Sequence, residues 1–116
     1  MKLVVMIPCY NEEKSIASVI KEIPRDCCEE VQVLVINDGS VDRTIQEAKK
    51  AGADKILSFK KNKGLAPAFK AGLQQAVEMG ADIIVNTDGD GQYNGEEIPY
   101  LFRVMEAHLQ SPNEVN

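Results

Sequence analysis

Asp88 and Asp90 stand one residue apart, with Gly89 between them and Gln92 two positions on, shortly after the apolar run Ile83 to Val85. Two carboxylates at the mouth of a buried strand can turn together onto a hard divalent cation, or divide between the cation and a ribose hydroxyl. The Gln92 amide adds a neutral oxygen. Magnesium or manganese suits such donors, keeps part of its water shell, and completes its coordination with phosphate oxygens. An acidic turn spaced by glycines gives the same residues with no ligand at all, so the motif takes its meaning from its company.

Two more polar clusters follow short apolar runs: Pro8-Cys9-Tyr10-Asn11-Glu12-Glu13 and Asn37-Asp38-Gly39-Ser40-Val41-Asp42-Arg43-Thr44. In the first, Pro8 is expected to end a strand, Tyr10 offers a ring face to a heterocycle, and Asn11 and Glu12 can hydrogen-bond ribose or base. Asn11 as a helix N-cap, followed by acids in the first turn, accounts for part of this segment without a ligand. In the second, Asp38 projects over a sheet edge, where it could accept a base N–H; the competing reading is that Asp38 or Ser40 caps the next helix. Asp42 with Thr44 reads as a cap.

Asn62-Lys63-Gly64-Leu65 opens another helix, and its glycine lets a ligand approach free backbone N–H groups, with Lys63 placed to meet a phosphate. Solvated Lys60, Lys61 and Lys63 explain the same stretch equally well. Glu96 and Glu97 are better explained by a helix start than by catalysis. His108, the one histidine, is expected on the surface of the last helix, away from the site.

Positioning these clusters falls to alternating strands and helices. Leu3 to Ile7 and Val31 to Ile36 are short branched-aliphatic runs without polar alternation, as strands covered on both faces must be. Between them Ile16, Val19, Ile20 and Ile23 recur at helical spacing, closed by Pro24. A second helix is expected from about Val41 to Ala51, with Ile45 and Ala48 inward and Gly52 as its stop, then a strand over Lys55 to Phe59. Phe69, Leu73, Ala76 and Val77 mark the inner face of a third helix stopped by Gly80, and Asp82 to Val85 makes the fourth strand. A last helix starts near Gly95, with Ile98, Leu101, Phe102 and Met105 on its apolar face.

Right-handed crossovers make the economical arrangement a three-layer α/β/α, Rossmann-like half sheet with parallel strand order 3-2-1-4. Winding then reverses beside the first strand, and the crevice at its carboxyl end brings Tyr10 and Asn11 to face Asp88 and Asp90. Residues 1–110 are expected to form one domain, with 111–116 a frayed tail.

The 116 residues, 44% hydrophobic, suffice for a real core, and the net charge of −5 argues against capture of nucleic acid through a basic face. Anionic ligands would need a metal. Cys9, Cys27 and Cys28 lack zinc-knuckle spacing and read as reduced cytoplasmic thiols. No segment is long enough to cross a bilayer as a helix.

Taken together, IPCYNEE, VINDGSVDRT, NKGLAPAFKAG and NTDGDGQY resemble, in order and approximate spacing, the nucleotide-binding half of family 2 glycosyltransferases, the GT-A group that includes dolichol-phosphate mannosyltransferases. The resemblance runs from Val4 to about Tyr100 and rests on the conjunction of motifs; Gly89 stands where that pattern often has alanine. It implies that Pro8, Tyr10 and Glu12 line the nucleoside pocket, Asp38 contacts the base, and Asp88 contacts ribose or metal. It implies too that Asp90 and Gln92 hold Mg2+ or Mn2+ on the diphosphate of a nucleoside-diphosphate sugar, whose sugar is transferred with inversion. The acceptor is lipid-linked in many such enzymes, which places the reaction in the cytoplasm or at the cytoplasmic membrane surface.

Family members are expected to continue through a further half that supplies the acceptor pocket and general base, so the catalytic base is unassigned here. A nucleotide-sugar-binding module without transferase activity is the alternative. The fourth strand, if left as an open edge, is expected to favour a homo-oligomer. A phosphoacceptor signalling domain fails because the third strand ends in Ser58-Phe59-Lys60 rather than a phosphorylatable aspartate. A dinucleotide-binding half fails because Tyr10-Asn11-Glu12 replaces the glycine fingerprint.

Overall fold

Branched aliphatic side chains on both faces of two adjacent strands set the centre of the molecule. In the computed structural model, which describes residues 1–87, β1 (Lys2–Cys9) and β2 (Glu30–Asp38) pair in parallel with Leu3 opposite Val31 and Cys9 opposite Asn37. β3 (Lys55–Phe59) joins the outer edge of β2, and β4 (Ile83–Asn86) joins β1, giving the parallel order β3-β2-β1-β4. The expected topology is the observed one.

Alternation across the pleat sends successive side chains into two cores. Leu3, Val5 and Ile7 of β1, with Val33 and Val35 of β2, pack beneath α1 (Ile16–Glu22) and α2 (Thr44–Ala51), where Ile16, Val19, Ile20 and Ala48 are buried. Val4 and Met6, with Leu34 and Ile36, lie under α3 (Leu65–Glu78) on the opposite face. Helices on both faces are the reason the strands carry no polar alternation.

The third helix keeps half of the expected inner face: Ala76 is buried and Leu73 packs against the core, but Phe69 and Val77 do not. Ala68, Gly72 and Ala76 are its buried residues, while Phe69 and Val77 are 40% and 67% exposed. Small side chains at every fourth position let the helix approach the sheet: a Cβ built on Gly72 would stand 2.7 Å from Ile36 Cδ1 and 3.2 Å from Met6 Sδ. The larger residues are consequently displaced to the flank.

Helix boundaries also shift. α1 begins at Ile16, so Asn11 is not its N-cap, and α2 begins at Thr44 rather than near Val41. Gly52 and Gly80 follow their helices at φ 98° and 84°, the left-handed stop expected of each. Pro8 lies buried inside β1 instead of ending it. Met6 O receives the Thr87 N–H at 2.9 Å, so by alternation the nitrogen of residue 8 faces a point past the end of β4, where a missing donor breaks no described ladder bond.

Among the described residues no strand pairs with the outer edge of β4. The expected helix near Gly95, the tail 111–116, His108, and the acidic motif Asp88, Asp90 and Gln92 lie outside the described residues.

Candidate functional site at the carboxyl edge

All four strands run the same way, so the loops after β1, β2 and β3 gather along one edge. Each loop is fastened to its neighbour by side chains that accept backbone N–H groups. Asp38, the last residue of β2 and only 6% exposed, takes the Lys63 N–H on Oδ1 at 2.7 Å and the Gly64 N–H on Oδ2 at 3.0 Å. Asn62 Nδ2 donates to the same Oδ2 at 3.2 Å and to the Asp38 carbonyl at 3.1 Å. A buried carboxylate needs such donors, and here the β3–α3 loop supplies them.

This arrangement corrects two expectations. The N–H groups of Lys63 and Gly64 are not open to a phosphate, because Asp38 takes them both; the Lys63 ammonium lies over the Phe59 ring, 4.9 Å from its centroid. Asp38 does not cap α2 either. Three of the roughly four lone-pair positions of its carboxylate are used, which leaves one on Oδ1.

Gly39 makes the junction possible. At φ 79° it occupies the left-handed region, and a Cβ there would fall 2.5 Å from the Lys61 carbonyl carbon and closer still to the Asn62 nitrogen. Only a residue without a side chain lets the two loops touch.

The loops after β1 and β2 are stitched as firmly. Asn11, at φ 52°, donates its N–H to Ser40 Oγ at 2.9 Å and accepts the Val41 N–H on Oδ1 at 2.9 Å. Glu12 N–H donates to Thr44 Oγ1 at 2.9 Å, Glu13 N–H to Asp42 Oδ2 at 3.3 Å, and Arg43 N–H to Glu13 Oε2 at 3.1 Å. Asparagine is the residue besides glycine that most readily adopts the left-handed conformation, and one lone pair of its amide oxygen is taken by Val41 inside the protein. Asp42 Oδ1 accepts both the N–H and the hydroxyl of Thr44, the first residue of α2, but the N-cap position falls on Arg43 and carries no side-chain cap hydrogen bond, so Asp42 is not the cap expected.

Electrostatics follow from these contacts. Desolvation, the largest single influence on Asp42, works to raise its pKa, but hydrogen bonds from the Thr44 hydroxyl and from the Thr44, Glu13 and Asp42 backbones together outweigh it and hold the carboxyl below its ordinary value. Cys9, 5% exposed at the end of β1, is pushed up to about 12 by burial first, and then by the charges of Glu12, Asp42 and Asp38. It is a neutral packing thiol, not a nucleophile. Tyr10 stands 46% exposed on this platform, its ring available to a ligand.

Among the described residues no group of three or more His, Cys, Asp or Glu side chains could hold a metal ion. β4 delivers the chain to this same edge at Thr87, directly before Asp88. The two carboxylates and one amide of Asp88, Asp90 and Gln92 are hard oxygen donors, the set that magnesium and manganese prefer. Reading the sequence singled out Asp38 and the Asn62-Lys63-Gly64 turn separately; it missed that one holds the other, and it missed Ser40 and Thr44 as acceptors. The one available signal was Asn37-Asp38 closing an apolar strand, two buried polar residues that must find donors.

Comparison with known proteins agrees with this geometry. Residues 4–111 match the sequence model described as "Glycosyl transferase family 2". The chain is 33% identical over 109 residues to an undecaprenyl-phosphate mannosyltransferase of Micrococcus luteus, covering 90% of this chain and 44% of that protein. Among solved structures it resembles glucosyl-3-phosphoglycerate synthase from Mycobacterium tuberculosis in complex with Mn2+, UDP and glucosyl-3-phosphoglycerate, with TM-score 0.72 at 25% identity, over 90% of this chain and 39% of that one. A mannosyltransferase from Pyrobaculum calidifontis in complex with GDP-Man and Mn2+ shares the fold, with TM-score 0.75 at 23% identity, over 95% of this chain and 32% of that one. The chain spans about half the length of the curated relatives it matches.

Proposed function

The chain belongs to glycosyl transferase family 2, and from that premise we propose that residues 1–110 bind a nucleoside-diphosphate sugar together with Mg2+ or Mn2+ for inverting sugar transfer. The observation that carries the reading is the carboxyl edge itself, where Asp38 and Asn11 fasten three loops into one platform beside the point at which β4 enters the acidic motif. Such preorganisation spares the ligand the cost of ordering the loops.

Within this reading Tyr10 lies against the base, Pro8 and Glu12 border the nucleoside, and the remaining lone pair of Asp38 Oδ1 accepts a base N–H. Asp88, Asp90 and Gln92 would hold the divalent ion, with Asp88 shared between ion and ribose; when bound, the ion stabilises the charge of the departing diphosphate. Lys63 and Gly64 act through the loop that Asp38 holds. The name of the Micrococcus relative supports a polyprenyl phosphate as acceptor, and the nucleotides in the two solved complexes leave uridine and guanosine as alternatives.

Calorimetric titration with UDP, GDP and their sugars, with and without Mn2+, tests the proposal. Metal-dependent binding of one nucleotide series is expected, and it should vanish in Asp90→Ala while the circular dichroism spectrum is unchanged. Unaltered affinity in that variant would remove Asp90 from the site. Release of nucleoside diphosphate in the presence of a polyprenyl phosphate reads the transfer itself.

A further inference from the structure

Five of the thirteen basic residues of this acidic chain fall within residues 55–77, and none of its eighteen acids does. Lys60, Lys61 and Lys63 follow β3 at the carboxyl edge, and Lys70 lies in the second turn of α3; all four are exposed. Lysine ion pairs among the described residues are Lys2–Glu30 and Lys50–Glu47, so no carboxylate neutralises this segment there.

Apolar surface lies beside the charge. Leu65 is 67% and Phe69 40% exposed, four residues apart and thus on one side of α3. Both sit in the first two turns of α3, next to the lysines of the β3–α3 loop, whereas Gly72 and Ala76 further along the helix are buried against the sheet. Lysines without acids, set around protruding leucine and phenylalanine, are what a peripheral protein presents to an anionic bilayer: ammonium groups at headgroup level, apolar side chains at the acyl boundary. Nucleic acid would satisfy the lysines but gives an aliphatic side chain such as Leu65 no hydrocarbon to enter.

We propose that Lys60, Lys61, Lys70, Leu65 and Phe69 form a docking face for an anionic phospholipid surface. Lys60 and Lys61 belong to the same edge as Asp38 and Tyr10, so docking would turn the platform toward the lipid. The inference goes beyond sugar transfer and is read without turnover.

Flotation of the full chain with phosphatidylcholine vesicles, and with vesicles containing about one-third phosphatidylglycerol, provides the test. Partition into the anionic vesicles alone is expected, weakening as salt is raised. Since each lysine near such a surface contributes about fivefold, Lys60→Glu/Lys61→Glu should lower partition by about 25-fold or more. Leu65→Ser should lower it severalfold while leaving the salt dependence in place. Lys49→Glu/Lys50→Glu, on α2 and with the same change in net charge, should alter it by less than about threefold. Equal binding to both vesicle types, undiminished binding by Lys60→Glu/Lys61→Glu, or equal losses in the two double variants would overturn the proposal. So would retention on single-stranded DNA with no partition into vesicles.

Discussion

Asp38 receives the backbone N–H of Gly64 at 3.0 Å, and its second carboxylate oxygen receives that of Lys63 at 2.7 Å. One buried side chain at the end of β2 thereby fixes the loop that follows β3. Asp38→Ala leaves these N–H groups without their acceptor and should cost about 2–3 kcal/mol. Asp38→Asn keeps the shape but turns an amide donor toward other donors, with a loss of about 1–3 kcal/mol. Chemical denaturation measures both. Hydrogen exchange adds the local readout: the amides of Lys63 and Gly64 should lose protection in either variant, while those of β1 change only as global stability does.

Two glycines separate backbone obstruction from side-chain obstruction. At Gly39 the obstacle is the Lys61–Asn62 backbone and φ is 79°, so Gly39→Ala combines a clash that cannot move with a strained conformation. A loss of more than about 2 kcal/mol is expected. At Gly72 the nearest atom is the terminal Cδ1 of Ile36, and alanine also gains about 1 kcal/mol of helix propensity. Gly72→Ala should therefore lie within about 1 kcal/mol of wild type, whereas Gly72→Val, too large for a rotamer shift to absorb, should lose about 1–3 kcal/mol. Thermal unfolding of the three variants ranks them; an equal loss at Gly39→Ala and Gly72→Ala would contradict the distinction.

These two glycines also mark how far the residues alone could be read. Runs such as Leu34-Val35-Ile36 specify buried strands directly, because only coverage on both faces tolerates them. Strand order followed from crossover handedness. The inner face of α3 was read correctly at Leu73 and Ala76 and wrongly at Phe69 and Val77, because hydrophobic size was taken as a guide to burial while close approach to the sheet also selected Ala68 and Gly72. The loops were legible only as polar clusters. Which of their atoms face inward depends on hydrogen bonds across about 24–30 residues of sequence, such as Asn11 to Val41 and Asn62 to Asp38, and local pattern carries no record of them.

The junction of the β1–α1 and β2–α2 loops should weaken in acid. Asp42 has a folded-state pKa below its ordinary value of 3.8, so its contribution is present above about pH 4 and is lost as pH falls through the lower folded value. Urea midpoints for wild type should drop more steeply over that window than those of Asp42→Asn. Parallel curves would show that Asp42 adds nothing to acid sensitivity. Thr44→Val, which is isosteric, removes the acceptor of the Glu12 N–H and should cost about 1–2 kcal/mol at neutral pH.

Cys9 behaves in the opposite sense at the alkaline end. Burial, reinforced by Glu12, Asp42 and Asp38, raises its thiol from 9.0 to about 12 in the folded chain. The unfolded thiol ionises first, so stability is fully present below pH 9 and falls as pH rises toward the folded value. Cys9→Ala should flatten that fall while lowering stability at neutral pH, where the lost sulfur leaves a small cavity. Alkylation gives an independent check. At pH 8 the half-buried Cys27 and Cys28 should react with iodoacetamide first, and Cys9 should be modified only at the rate of opening, accelerating in denaturant. Reaction of all three thiols at one rate in native buffer would mean that the end of β1 is open to solvent, and with it the floor beneath Tyr10.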